Sequence, residues 1–175
     1  SAGAIAAALF FGNDVPDQAR LAARWTARAA LPLFLVAYVA RPAAQLWPND
    51  LTRAILARRR QWGLAFAAAH TVHFAALTIA LIIAGTWPSV VTMVGGGLAY
   101  VLIWAGAATS NAASIKAMGR SWLWLHRAMM HTVWLIFVQT YAGRIVAKET
   151  MAQGLFFTAL LSCAAAVRFM AWQQN

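Results

Sequence analysis

The sequence predicts an all-α protein, an integral membrane helical bundle, on three observations. Hydrophobic residues make up 62% of the 175-residue chain and charged residues only 10%, too little polar surface to clothe a soluble domain of this size. The apolar residues gather into runs of about 18 or more, the length a helix needs to cross a bilayer. Basic residues punctuate those runs instead of interrupting them. The expectation is five full spans plus an N-terminal partial helix, folded as a single domain over residues 1–175.

The opening SAGAIAAALFFG lacks the basic start of a secretory signal. At roughly 1.5 Å per residue it is too short to cross a bilayer alone. It reads as the tail of a first helix or as a short re-entrant piece. Gly12 to Gln18 is a polar turn, and a span is expected from Ala19 to about Ala40. Pro32 can kink this span, at a cost that neighbouring membrane helices absorb. Arg20, Arg24 and Arg28 recur every fourth residue along one face of its start, where they can snorkel to headgroups.

Arg41 to Gln61 is a basic connection, followed by a span from Trp62 to about Ala84 and the closing turn GTWPS. The next span runs from about Pro88 to Thr109 through Gly95, Gly96 and Gly97. No strand precedes these glycines, so they are expected to allow close helix contact instead of cradling a phosphate. The loop Ser110–Arg120, a span from Ser121 to about Tyr141, the connection Ala142–Thr150 and a last span from Met151 to about Trp172 complete the chain. There is no internal repeat. Cys163, the single cysteine, sits inside an apolar run and is expected to serve packing.

The net charge of +10 does not point to nucleic acid, because the cations flank hydrophobic runs and line no hydrated groove. It fixes orientation instead. The side holding the 41–61 and 110–121 loops and the carboxyl end carries nine Lys and Arg residues against five on the other. The positive-inside rule therefore puts those loops in the cytoplasm of a multi-pass protein. Trp47, Trp62, Trp87, Trp122 and Trp172 fall near span ends, as interfacial aromatics do.

Four histidines interrupt this apolar pattern, all in two spans: His70 and His73 in GLAFAAAHTVHF, His126 and His131 in SWLWLHRAMMHTVWLIF. Counted from Trp62, His70 lies roughly 12 Å in and His73 roughly 16 Å. Counted from Trp122, His126 lies roughly 6 Å in and His131 roughly 14 Å. An intramembrane imidazole is costly unless paired. Two facing helices that each offer neutral imidazole can grip both axial positions of a haem iron. The competing reading is four buried histidines bonded to neighbouring carbonyls or hydroxyls. Haem ligation needs no carboxylate, and all four acidic residues, Asp14, Asp17, Asp50 and Glu149, lie outside the spans. That placement excludes a carboxylate proton relay, a dinuclear carboxylate site and a transporter built on intramembrane acids. His70 and His73 lie about 60° apart around a helix, His126 and His131 about 140°. Depth favours His131 as the partner of His70 or His73.

Four stretches resemble the ferric-reductase-like transmembrane domain, and most closely the haem-binding membrane subunits of periplasmic methionine-sulfoxide reductase systems. They are RWTARAALPLFLVAYVARP, RRQWGLAF with His73 after it, TSNAASIKAMGRSW, and WLHR at the end of that loop. The resemblance implies a six-helix bundle that carries b-type haem and passes electrons from a flavoprotein or quinol to a partner. It implies His73 and His126 as axial ligands of the iron, with His70 and His131 as alternatives. Members of the family usually carry a further histidine in the fifth helix where this chain has Gln139. That departure rearranges the ligand set, implying one haem b and arguing against a second.

The chain shows no FAD- or NADPH-binding segment, so electrons are expected from another polypeptide or from quinol, within a complex that includes other subunits and membrane lipid. Arg58, Arg59, Arg60, Arg120 and Arg127 are candidates to pair with haem propionates or dock an acidic donor. The alternative function is a haem-free or pigment-binding structural subunit.

Overall fold

A computed structural model describes residues 2–174. Among the described residues there is no strand. The helices are α1 (Ala2–Phe11), α2 (Val15–Leu46), α3 (Asp50–Ala57), α4 (Arg59–Ala84), α5 (Val90–Ala108), α6 (Ala112–Met118), α7 (Arg120–Ala142) and α8 (Met151–Gln173), with a 3-10 turn at Gly143–Ile145. The all-α expectation holds. Helices α2, α4, α5 and α8 are long and apolar enough to cross a membrane. The fifth expected span, α7, has 23 residues and the length to cross, about 34 Å. It falls outside that apolar set because Arg120, His126, Arg127, His131 and Gln139 lie along it.

Helix α2 starts earlier and ends later than the sequence suggests. Asp14 caps it, its carboxylate accepting from the Asp17 amide at 2.8 Å, as capping chemistry favours. Its far end runs through Pro42 to Leu46 instead of stopping near Ala40. Proline at 42 removes the amide that would bond the Tyr38 carbonyl. Arg168 of α8 supplies the missing donor, its Nη1 lying 3.1 Å from Tyr38 O. Next to it, Arg59 Nε donates to Ala37 O at 3.3 Å. The connection after α2 is itself structured, α3 being held by a reciprocal capping box between Asn49 and Thr52.

Helix α2 is the hub, packing on α1, α4 and α8, while α7 packs on α5 and α8. The core between them is aromatic and aliphatic: Leu31, Phe34, Tyr38, Phe66, Ile103, Val133, Phe137, Tyr141 and Leu161 are buried together. The outward faces of α4, α5 and α8 expose Ile79, Ile82, Val91, Val94, Val101 and Phe156. In water such a surface would aggregate; against lipid tails it costs nothing.

Two packing expectations are corrected. Gly95, Gly96 and Gly97 have open space where a Cβ would stand, because that stretch of α5 faces outward. The close approaches occur at Gly12, in the turn before α2, against Gln18, at Gly106, against Met129, and at Gly154. Cys163 is exposed on α8 and fills no core position. A Cβ at Gly154 would lie 2.8 Å from Tyr141 O and 2.9 Å from Ile145 N, backbone atoms that cannot swing away. Gly154→Ala is expected to destabilise the fold by about 1–3 kcal/mol, read as a lower thermal unfolding midpoint in detergent. An unchanged midpoint would contradict this packing.

Candidate cofactor site

The four histidines occupy two heights in the bundle. The inner pair is on α4. His70 lies among aromatic rings, 5.0 Å from Phe66, 5.2 Å from Tyr100 and 5.8 Å from Phe137 between centroids. The His73 ring is 5.1 Å from that of His70, and its Nδ1 lies 3.2 Å from Thr26 Oγ1 on α2.

Thr26 fixes the protonation pattern of His73. The threonine is fully buried, and its hydroxyl lies 2.7 Å from Ala22 O, a distance at which it donates its single proton to that carbonyl. Towards His73 the hydroxyl oxygen can then only accept, so Nδ1 carries the proton and Nε2 presents a lone pair. A hydrogen bond of this kind on one nitrogen is what prepares the other as a metal ligand. His70 Nδ1, by contrast, is buried with no hydrogen-bond partner.

The outer pair is on α7 and lines a cavity of about 1070 Å³ between α2, α7 and α8 at the basic end of the bundle. Its volume is at the upper end for small-molecule and cofactor sites. His126 and His131 share the wall with Tyr38, Trp122 and Trp134 and with Arg41, Arg59, Arg60, Arg127 and Arg168. No carboxylate lines it. Trp122 is anchored by its indole donating to Thr109 O at 2.9 Å, and Trp134 by donating to Leu161 O at 3.0 Å. Trp122 also packs edge-on against His126 at 4.0 Å. His126 Nε2 is buried without a partner.

The two pairs are not brought together. His70 is level with Phe137, which is eleven residues beyond His126, roughly 16 Å along α7. Helix α4 contributes Arg59, Arg60 and Gly63 to the cavity wall, but neither His70 nor His73. An iron holds two axial imidazole nitrogens only about 4 Å apart, since metal–imidazole bonds are about 2 Å. In this register His73 and His126 do not flank one iron. What joins the two heights is a packed column of rings from His70 through Phe66, Phe34 and Tyr38 to His131, with centroid steps of 5.0, 5.3, 5.3 and 6.3 Å.

Of the arginines singled out in the sequence, Arg59, Arg60 and Arg127 reach the cavity, while Arg58 and Arg120 do not line it. Sequence reasoning missed Arg41, Arg168 and Tyr38. Pro42 was the available signal for two of them: a proline four residues after Tyr38 leaves a carbonyl that needs a donor. Among the described residues, no three His, Cys, Asp or Glu side chains gather to hold a bare metal ion. A porphyrin brings its own four nitrogens and needs only an axial imidazole. With an imidazole-bearing wall, aromatic flanks and guanidinium donors for acidic substituents, the cavity fits a tetrapyrrole. Compared with protein-family models, curated proteins and solved structures, the chain matches none.

Thr26→Val is expected to take one of two acceptors from the His73 ring, the Ala23 carbonyl being the other, at a cost of about 1 kcal/mol, with the Nδ1–H form retained. Thr26→Ser should keep the Nδ1–H form. Histidine ¹⁵N shifts in the purified protein check this, and an Nε2–H form of His73 in the wild type would contradict the assignment.

Proposed function

We propose that this chain is a membrane cytochrome b-type electron-transfer subunit of a bacterial inner membrane. It carries one haem b in the basic-end cavity and relays electrons from a flavoprotein or quinol to a partner protein. The observation that carries this reading is the cavity itself: a large, aromatic-walled space in which α7 offers His126 and His131 and five arginines meet no carboxylate. His126 and His131 lie about 140° apart around α7, so one of them, not both, would hold the group.

The chain's own residues divide the work. The α7 imidazole binds and orients the group. Trp122, Trp134 and Tyr38 flank it and exclude water, which raises the strength of every charge interaction inside. The arginines neutralise acidic substituents through charge-assisted hydrogen bonds. When bound, the haem supplies reversible one-electron chemistry. The resemblance of the sequence to ferric-reductase-like domains supports the same reading, with the ligand assignment moved from the His73–His126 pair to the cavity histidines. The exposed Arg41, Arg60 and Arg127 are suited to an acidic donor surface.

A pyridine haemochrome spectrum of the purified wild-type protein is expected to show b-type haem at about one per chain. Replacing both His126 and His131 by alanine is expected to reduce bound haem at least tenfold, and the single replacements identify the axial ligand. His73→Ala should retain cavity haem. Wild-type protein without haem would favour the structural-subunit reading, and loss on His73→Ala alone would restore the His73–His126 pairing.

A further inference from the structure

The opposite end of the bundle holds a second group of arginines that the cavity does not use. Arg28 Nη2 from α2 and Arg144 Nη1 from the 3-10 turn both lie 3.0 Å from the same acceptor, Gln153 Oε1 on α8. One neutral amide oxygen cannot neutralise two guanidinium charges. Arg28 Nε is buried and has no hydrogen-bond partner. Arg144 lies over the Tyr141 ring, 5.5 Å from its centroid. The only ion pair among the described residues is Arg20 with Asp17, so no carboxylate serves this group.

The arrangement is held in place by backbone packing. Thr150 Oγ1 donates to Arg144 O at 2.9 Å, and Gly154 lets α8 press against the turn at van der Waals distance. Two like charges have therefore been fixed side by side at the end of a helix bundle, which is favourable only if an anion joins them. The adjoining surface says what kind. Phe156 and Leu160 follow Gln153 at helical spacings of three and seven residues, on the same stripe of α8, and both are exposed, by 63% and 39%. An apolar track leading away from a paired-arginine site matches an acyl chain leading away from its headgroup.

We propose that Arg28 and Arg144 form a binding site for the phosphodiester of a net-anionic phospholipid, whose acyl chain lies along Phe156 and Leu160. This inference does not depend on haem. The test is native mass spectrometry of the detergent-purified full chain titrated with dioleoyl phosphatidylglycerol, dioleoyl phosphatidylcholine or inorganic phosphate. Wild-type protein is expected to retain one phosphatidylglycerol, at least tenfold more tightly than phosphatidylcholine. Arg28→Gln with Arg144→Gln is expected to abolish that preference, and Arg20→Gln to leave it intact. Gln153→Glu guards against misfolding of the double variant. It places a carboxylate between the two arginines, and is expected to raise the unfolding midpoint without lipid and remove the increment that phosphatidylglycerol adds. Equal retention of both lipids, retention by the double variant, or a full lipid increment in Gln153→Glu would overturn the proposal. Inorganic phosphate displacing the lipid at equal concentration would overturn the lipid assignment in favour of a free-phosphate site.

Discussion

The constraint that organises this molecule is the scarcity of carboxylates. Fourteen lysines and arginines share the chain with four aspartates and glutamates. A guanidinium drawn in among apolar helices must therefore find something other than an acid. Arg168 and Arg59 find the carbonyls of Tyr38 and Ala37. Arg28 and Arg144 find an amide oxygen. Tyr38 and Tyr141 lend their ring faces to Arg168 and Arg144. Arg168, Arg28 and Arg144 tie α2 and the turn after α7 to α8, and Arg59 ties α4 to α2, so the same shortage that leaves positive charge uncancelled also holds the bundle's ends together. It leaves two groups of arginines without carboxylate partners, one at each end of the bundle.

The second organising element is the buried hydroxyl of Thr26. A hydroxyl has one proton, and the α2 backbone takes it. That choice passes to His73 as a tautomer and sets the chemical face of the inner histidine pair. Between this pair and the cavity lies the ring column, with a small void of about 40 Å³ beside Phe34 and Phe66. Burial here serves two ends at once: the rings are the hydrophobic core of the fold and the apolar layer that separates two polar sites.

Much of this was legible in the sequence. Apolar run lengths located α4, α5, α7 and α8 to within a few residues, and the confinement of all histidines to two runs located the helices that matter. The end of α2 was not legible, because Pro42 reads as a stop unless Arg168, 126 residues later, is known to complete the carbonyl it frees. The relative height of α4 and α7 was also hidden. Depths counted from Trp62 and Trp122 place His70 and His131 nearly level, yet His70 meets Phe137. That offset is set outside both helices. The turn at Gly119, with φ of 52° that favours glycine, and the short helix before it determine where α7 enters the bundle. The cavity depended on all of these together: five helices, the entry point of α7 and the extended end of α2.

The central claim is that a flat macrocycle stands against α7 in the space between α2, α7 and α8. An experimental density map of the purified chain in lipid nanodiscs tests it most directly. The account predicts planar density bonded to His126 or His131, with acidic groups turned toward the surrounding arginines. Acyl-chain density or repacked side chains filling that space, with both imidazoles bonded only to protein, would contradict it.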